Sequence, residues 1–109
     1  MEDILELTRQ LGRVPNVGQA LHIMQWELGD LAKAWTYSKW HPDLSRAYEQ
    51  EAKKALADLI FQARVVAALL DIHLTEVIEM GEDAVRERIK DKERKVDRFK
   101  HYVGDREGD

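Results

Sequence analysis

Between Met24 and Asp58 the chain runs through two apolar helical patterns, and acids interrupt both. In the first, Val17, Leu21, Met24, Leu28, Leu31 and Trp35 recur at alternating spacings of four and three, one stripe of an amphipathic helix. Beside it, at the same rhythm, run Ala20, Ile23, Glu27, Asp30 and Ala34. Two carboxylates therefore stand one helical turn apart where apolar residues are expected, flanked by alanines. In the second pattern Ala52, Leu56, Leu59, Ala63, Val66 and Leu70 form the stripe, with Glu51, Ala55, Asp58 and Gln62 alongside. If the two helices fold into an antiparallel hairpin, Asp58 faces Glu27 and Asp30. No other place in the sequence has the look of a chemical site.

The remaining punctuation is also helical. Residues Glu2–Leu11 read as a short first helix, which Gly12 can end in a left-handed conformation, with Pro15 opposing continuation. Asn16 is placed to cap a second helix running to about Ser38. Lys39, Trp40, His41 and Pro42 break the pattern and mark the hairpin loop. Asp43 or Ser45 is then expected to cap a third helix reaching Leu70. Asp71–His73 reads as a turn, and Thr75 as the cap of a fourth helix from about Glu76 to Phe99. No alternating β segment or repeat stands out, so the expected class is all-α, a four-helix bundle. A single domain over residues 1–103 is expected, with 104–109 a frayed tail.

The third helix bears on assembly. From Ala55 to Leu70 it is apolar nearly all round, and such a helix is buried on most sides. Three further helices of a small bundle cover only part of it, so a second subunit is the expected cover. A monomer with a tightly wrapped central helix is the other arrangement the pattern allows.

Composition narrows the function classes. The 109 residues suit one domain, and a net charge of −4 argues against a nucleic-acid binder, which needs a basic face. With no cysteine, disulfides and thiolate metal sites are excluded. The acidic start and the short, interrupted apolar segment Ala55–Leu70 give no signal or membrane-span pattern, and a soluble cytoplasmic protein is the default. The four histidines show no metal-binding spacing.

Three carboxylates converging in a partly apolar cleft would conflict. Two like charges about 5 Å apart repel by about 3 kcal/mol at an effective dielectric of about 20. A hard divalent cation removes that conflict, and oxygen-only ligands suit Mg²⁺ or Mn²⁺. The plain alternative is that Glu27 and Asp30 simply lie at the solvated edge of their helix.

At this point the residues resemble a family. WELGDLAKA at Trp26–Ala34 resembles the EE-x-x-E block of the MazG-like all-α nucleotide pyrophosphohydrolases. ALAD at Ala55–Asp58, followed by LIFQARVVAALLDI, resembles their second block, and the likeness covers roughly Val17–Glu79. It implies Mg²⁺-dependent hydrolysis of a nucleoside triphosphate to monophosphate and pyrophosphate. It also implies a homodimer or homotetramer whose sites draw helices from more than one subunit. Glu27, Asp30 and Asp58 keep the family's ligand positions and would be its catalytic and metal-binding acids. The departures are specific: Trp26 stands at the first glutamate, Asp30 replaces a longer glutamate, and Ala55 replaces a ligand. Glu51, one turn before Ala55, could reach into that gap. With those acids altered, a non-catalytic oligomeric binding or structural protein is the alternative.

Four further residues are candidate substrate contacts. Lys54, one turn from Asp58, is placed to meet a phosphate, as is its neighbour Lys53. Trp40, at the loop end with Trp35 and Tyr37, is placed to stack on a base. Trp35 belongs to the apolar stripe and is expected in the core, and Trp26 is expected to plug the space of its missing glutamate. KERKVDRF at Lys92–Phe99 loosely resembles the family's later basic block, its asparagine replaced by Asp91 or Lys92 according to register. Arg94 and Arg98 are then the phosphate candidates; a solvated, salt-bridge-laced helix is the alternative. Gly29 and Gly81 each cost their helices about 1 kcal/mol relative to alanine, and Gly29 could mark a close helix approach.

Overall fold

The structure, a computed structural model, describes the backbone of residues 3–107 and the side chains of residues 3–100. Its secondary structure is helical throughout: α1 (Ile4–Gln10), α2 (Val17–Trp40), a 3₁₀ turn (Pro42–Leu44), α3 (Ser45–Leu69) and α4 (Leu74–Glu107). Among the described residues no helix is long and apolar enough to cross a membrane. The chain divides into two compact units, Met1–His73 and Leu74–Asp109.

Local chemistry sets the ends of the helices in the first unit. Asp3 caps α1, its carboxylate accepting from the Leu5 amide at 2.9 Å. At the other end Gly12 adopts φ +81°, its amide donates to the Arg9 carbonyl at 2.8 Å, and the Arg13 amide donates to Thr8 at 3.3 Å. This is the paired closure that a left-handed residue after a helix permits, and glycine adopts it without steric cost. Asn16 caps α2, accepting from the Gln19 amide at 3.0 Å. α2 runs two residues past Ser38, to Trp40; the residue before a proline is barred from the helical region, and His41, ahead of Pro42, is the one that leaves it. Neither Asp43 nor Ser45 caps α3. Its cap position is Leu44, without a side-chain bond, because the preceding 3₁₀ turn feeds directly into the helix. At the end of α3, Asp71 takes φ +54°, with the Ile72 amide donating to Ala67 at 2.8 Å. The same closure as after α1 is here built on an aspartate, one of the few side chains that tolerate it.

α2 and α3 pack as an antiparallel hairpin, and α1 lies against α3. Ile4, Ala20 and Val65, one from each helix, form the core cluster, with Leu5, Phe61, Val66 and Leu69 packed against it. The seam between α2 and α3 is not the stripe of large apolar residues. Ala20 and Ala55, each 2 % exposed, are buried with Ala34 and Val65, and Leu21, Leu28 and Leu56 are exposed. Trp35, expected in the core, is 63 % exposed. The correction has a steric origin: two helices come closest where side chains are smallest, so the alanine stripe faces inward, leaving Leu21, Leu28 and Trp35 exposed and Met24 and Leu31 half-buried at the edge of the seam.

The second unit is the single helix α4. It begins at Leu74, so Thr75 lies within its first turn rather than capping it, and it continues through Glu107, past Phe99. Of the expected tail 104–109, residues 104–107 are helical and the last two lie outside the described residues. No described α4 residue is buried. Its surface carries Arg86 bridging Glu82 and Asp83, Lys90–Glu87 and Arg94–Asp91, all three or four residues apart.

Candidate functional site

The hairpin aligns its non-leucine stripes face to face. From α2 come Glu27, Asp30, Lys33 and Tyr37; from α3 come Tyr48, Glu51, Lys54 and Asp58; all line one cleft of about 420 Å³, with Ala34 and Ala55 between them. The two alanines are buried, which leaves room for a cleft rather than a filled seam. Antiparallel pairing sets Glu27 and Asp58 at one end and Tyr37 and Tyr48 at the other, the two tyrosine rings 5.9 Å apart.

The electrostatics follow the same alignment. The Glu27 carboxyl is held above its usual 4.5, first by partial burial, then by the charges of Asp58 and Asp30. Glu27 is half-buried, whereas Asp30, Glu51 and Asp58 are exposed. Lys54 offsets part of the charge, its Nζ 3.6 Å from Glu51. Lys33 sits over the Tyr37 ring, 5.6 Å from its centroid.

The acids read from the two sequence blocks, Glu27, Asp30 and Asp58, thus share a cleft with Glu51 and Lys54. Lys53 instead pairs with Glu49 at 3.4 Å. Trp40 does not line the cleft; it packs at 5.4 Å on Tyr37, which does. Arg94 and Arg98 are exposed residues of α4, in the second unit, and Arg94 lies 3.5 Å from Asp91. Gly29 marks no close approach, since a Cβ there would meet nothing within 4 Å. Lys33 and Tyr48 escaped the sequence reading. Their signal was the three-and-four rhythm itself, continued from Asp30 to Lys33 and Tyr37, and back from Glu51 to Tyr48.

A second cleft, of about 360 Å³, opens on the other side of Glu27 and Asp58, lined further by Leu11, Arg13, Ile23, Trp26, Phe61 and Gln62. Trp26 is exposed on this cleft rather than plugging the seam.

The donor chemistry of the acid cleft suits a hard cation, and the neighbouring charges that raise Glu27 are what such an ion would offset. Among the described residues no group of three or more acids or histidines is drawn together so as to hold one metal ion. Mg²⁺ is usually held by one or two carboxylates, keeping waters and substrate phosphates for the rest of its shell. No family model, curated protein or solved structure matches this chain.

Proposed function

We propose that the chain is a MazG-like protein that hydrolyses nucleoside triphosphates to monophosphate and pyrophosphate, with Mg²⁺ or Mn²⁺, in the cleft between α2 and α3. One observation carries the reading: carboxylates from two separate sequence blocks, each resembling that family, line a single cleft together with Lys54. Glu27, Asp30 and Asp58 would hold the cation, with Glu51 reaching toward the place where Ala55 offers no ligand. Bound there, the ion would polarise a phosphoryl oxygen and make water a better nucleophile. Lys54 exchanges its bond to Glu51 for a phosphate oxygen. A carboxylate of the cleft left free by the cation would orient the attacking water and take its proton.

A homodimer or homotetramer belongs to this reading. Leu28, Trp35, Leu56 and Ile60 are large, apolar and exposed on the hairpin, and a second subunit is the natural cover. Light scattering tests it, and a monomer at micromolar concentration sinks it.

A second reading has its own support. Ala55 stands where the family has a ligand, and the carboxylates do not close into a group of three. In that reading the chain keeps the hairpin as a non-catalytic binding or structural protein.

Pyrophosphate release from a panel of ribo- and deoxynucleoside triphosphates, with Mg²⁺ or Mn²⁺, separates the two. Release that Asp58→Asn abolishes is the expected outcome. No release above the variant's background, with any nucleotide or either metal, selects the non-catalytic reading.

A further inference from the structure

We infer that the second cleft, on the far side of Glu27 and Asp58, binds the nucleobase, with Trp26 stacking on the ring and Gln62 reading its edge. The inference rests on the proposed nucleotide chemistry of the acid cleft and assigns the other half of the substrate.

Three observations support it. First, the cleft is of mixed make-up: Leu11, Ile23 and Phe61 give it apolar walls, and Arg13, Glu27, Asp58 and Gln62 give it polar groups that could orient a ligand. Second, Gln62 is only 8 % exposed yet lines this cleft. None of the side-chain hydrogen bonds of the described residues involves it. No side-chain nitrogen or oxygen among those residues is fully enclosed without a partner, so the amide keeps access to the cleft. A buried amide offers a donor and an acceptor side by side, the complement of a base edge. Third, Trp26 is a large aromatic, 67 % exposed on the cleft wall, where it gains nothing from the core. An indole face stacks on any base.

The geometry joins the two clefts into one site. Glu27 and Asp58 line both. Along α3, Gln62, Asp58 and Lys54 succeed one another at one-turn intervals, spanning about 12 Å at 1.5 Å per residue. A base beside Gln62 would thus direct its phosphates past Asp58 toward Lys54. Arg13, at the cleft's rim, supplies a guanidinium for the ribose or the α-phosphate.

The test uses the full chain, Mg²⁺, the α,β-methylene analogues of ATP, GTP, CTP and UTP, and inorganic triphosphate as the probe without a base. One variant, Trp35→Phe/Trp40→Phe, keeps Trp26 as the sole indole; another, Trp26→Phe/Trp35→Phe, keeps Trp40. At least one analogue is expected to bind at least about tenfold more tightly than triphosphate and to quench Trp26 but not Trp40 fluorescence. Trp26→Ala, at an exposed position where folding is not at stake, should bring that analogue down to the affinity of triphosphate. Gln62→Leu should alter the ranking of the four bases, and Asp58→Asn should weaken analogue and triphosphate alike. Analogues that bind no better than triphosphate and leave Trp26 silent overturn the base site but spare the acid cleft. Quenching of Trp40 instead moves the base to the tyrosine end and overturns it too. Binding of neither probe removes the nucleotide reading and this inference together.

Discussion

The α2–α3 hairpin and the longer helix α4 differ in what their side chains do. The hairpin closes on small residues, Ala20, Ala34 and Ala55, with Val65 the one fully buried larger side chain. No described residue of α4 is buried, and its described side chains interact as ion pairs along its own surface. In the hairpin, carboxylates of two packed helices line one cleft.

That contrast can be broken at single residues. Val65→Ala should cost about 2 kcal/mol in urea unfolding, from lost burial and the cavity left. Ile89→Ala, exposed on α4, should change stability by no more than about 0.5 kcal/mol. An Ile89→Ala effect equal to that of Val65→Ala, growing with protein concentration, would show α4 covered by another subunit and end the contrast. Gly29→Ala and Gly81→Ala should each stabilise by about 1 kcal/mol, since a Cβ at either meets nothing within 4 Å. A smaller gain at Gly81 than at Gly29 would mean that α4 is only partly helical in solution, and circular dichroism would show it.

Smaller effects sharpen the electrostatic side. Arg86 bridges Asp83 at 2.9 Å and Glu82 at 3.6 Å. Arg86→Ala should lower stability by about 0.5 kcal/mol, a loss that 1 M salt erases. Glu27 provides the smallest effect, because it is only half-buried. Its folded-state proton affinity is raised, so its stabilising contribution is complete below the ordinary value of 4.5 and lost as pH climbs through the raised one. Glu27→Gln should therefore melt slightly above the wild type at pH 7 and level with it below pH 4.5. A variant less stable at pH 7 would show that the Glu27 charge is compensated rather than opposed.

Much of this architecture was legible before folding was considered. Gly12, Pro15 and Asn16 announce where α1 stops and α2 starts, and each acts through its own backbone or side chain within a few residues. Pro42 ends α2 for the same kind of local reason, two residues later than the expected end at Ser38. The shared face of Glu27 and Asp30, and the position of Asp58 opposite them, needed only helical periodicity and a hairpin. The caps of α3 and α4 were misplaced because the 3₁₀ turn and Leu74 extend the helices without a polar signal. Trp26 and Gln62 were unreadable as a pair: they are far apart in sequence, on different helices, and meet across a cleft that exists only once α1, α2 and α3 are packed.

The sequence by itself determined that the chain is helical, where most helices end, and which acids share a face, because those properties follow from dihedral preferences and a 3.6-residue period. Only the tertiary structure decided which of two adjacent stripes turns inward. Periodicity makes the leucine–tryptophan stripe and the alanine–acid stripe equally regular. The helices' need for close approach chose the alanines, and that choice brought the acids of both helices to a single cleft.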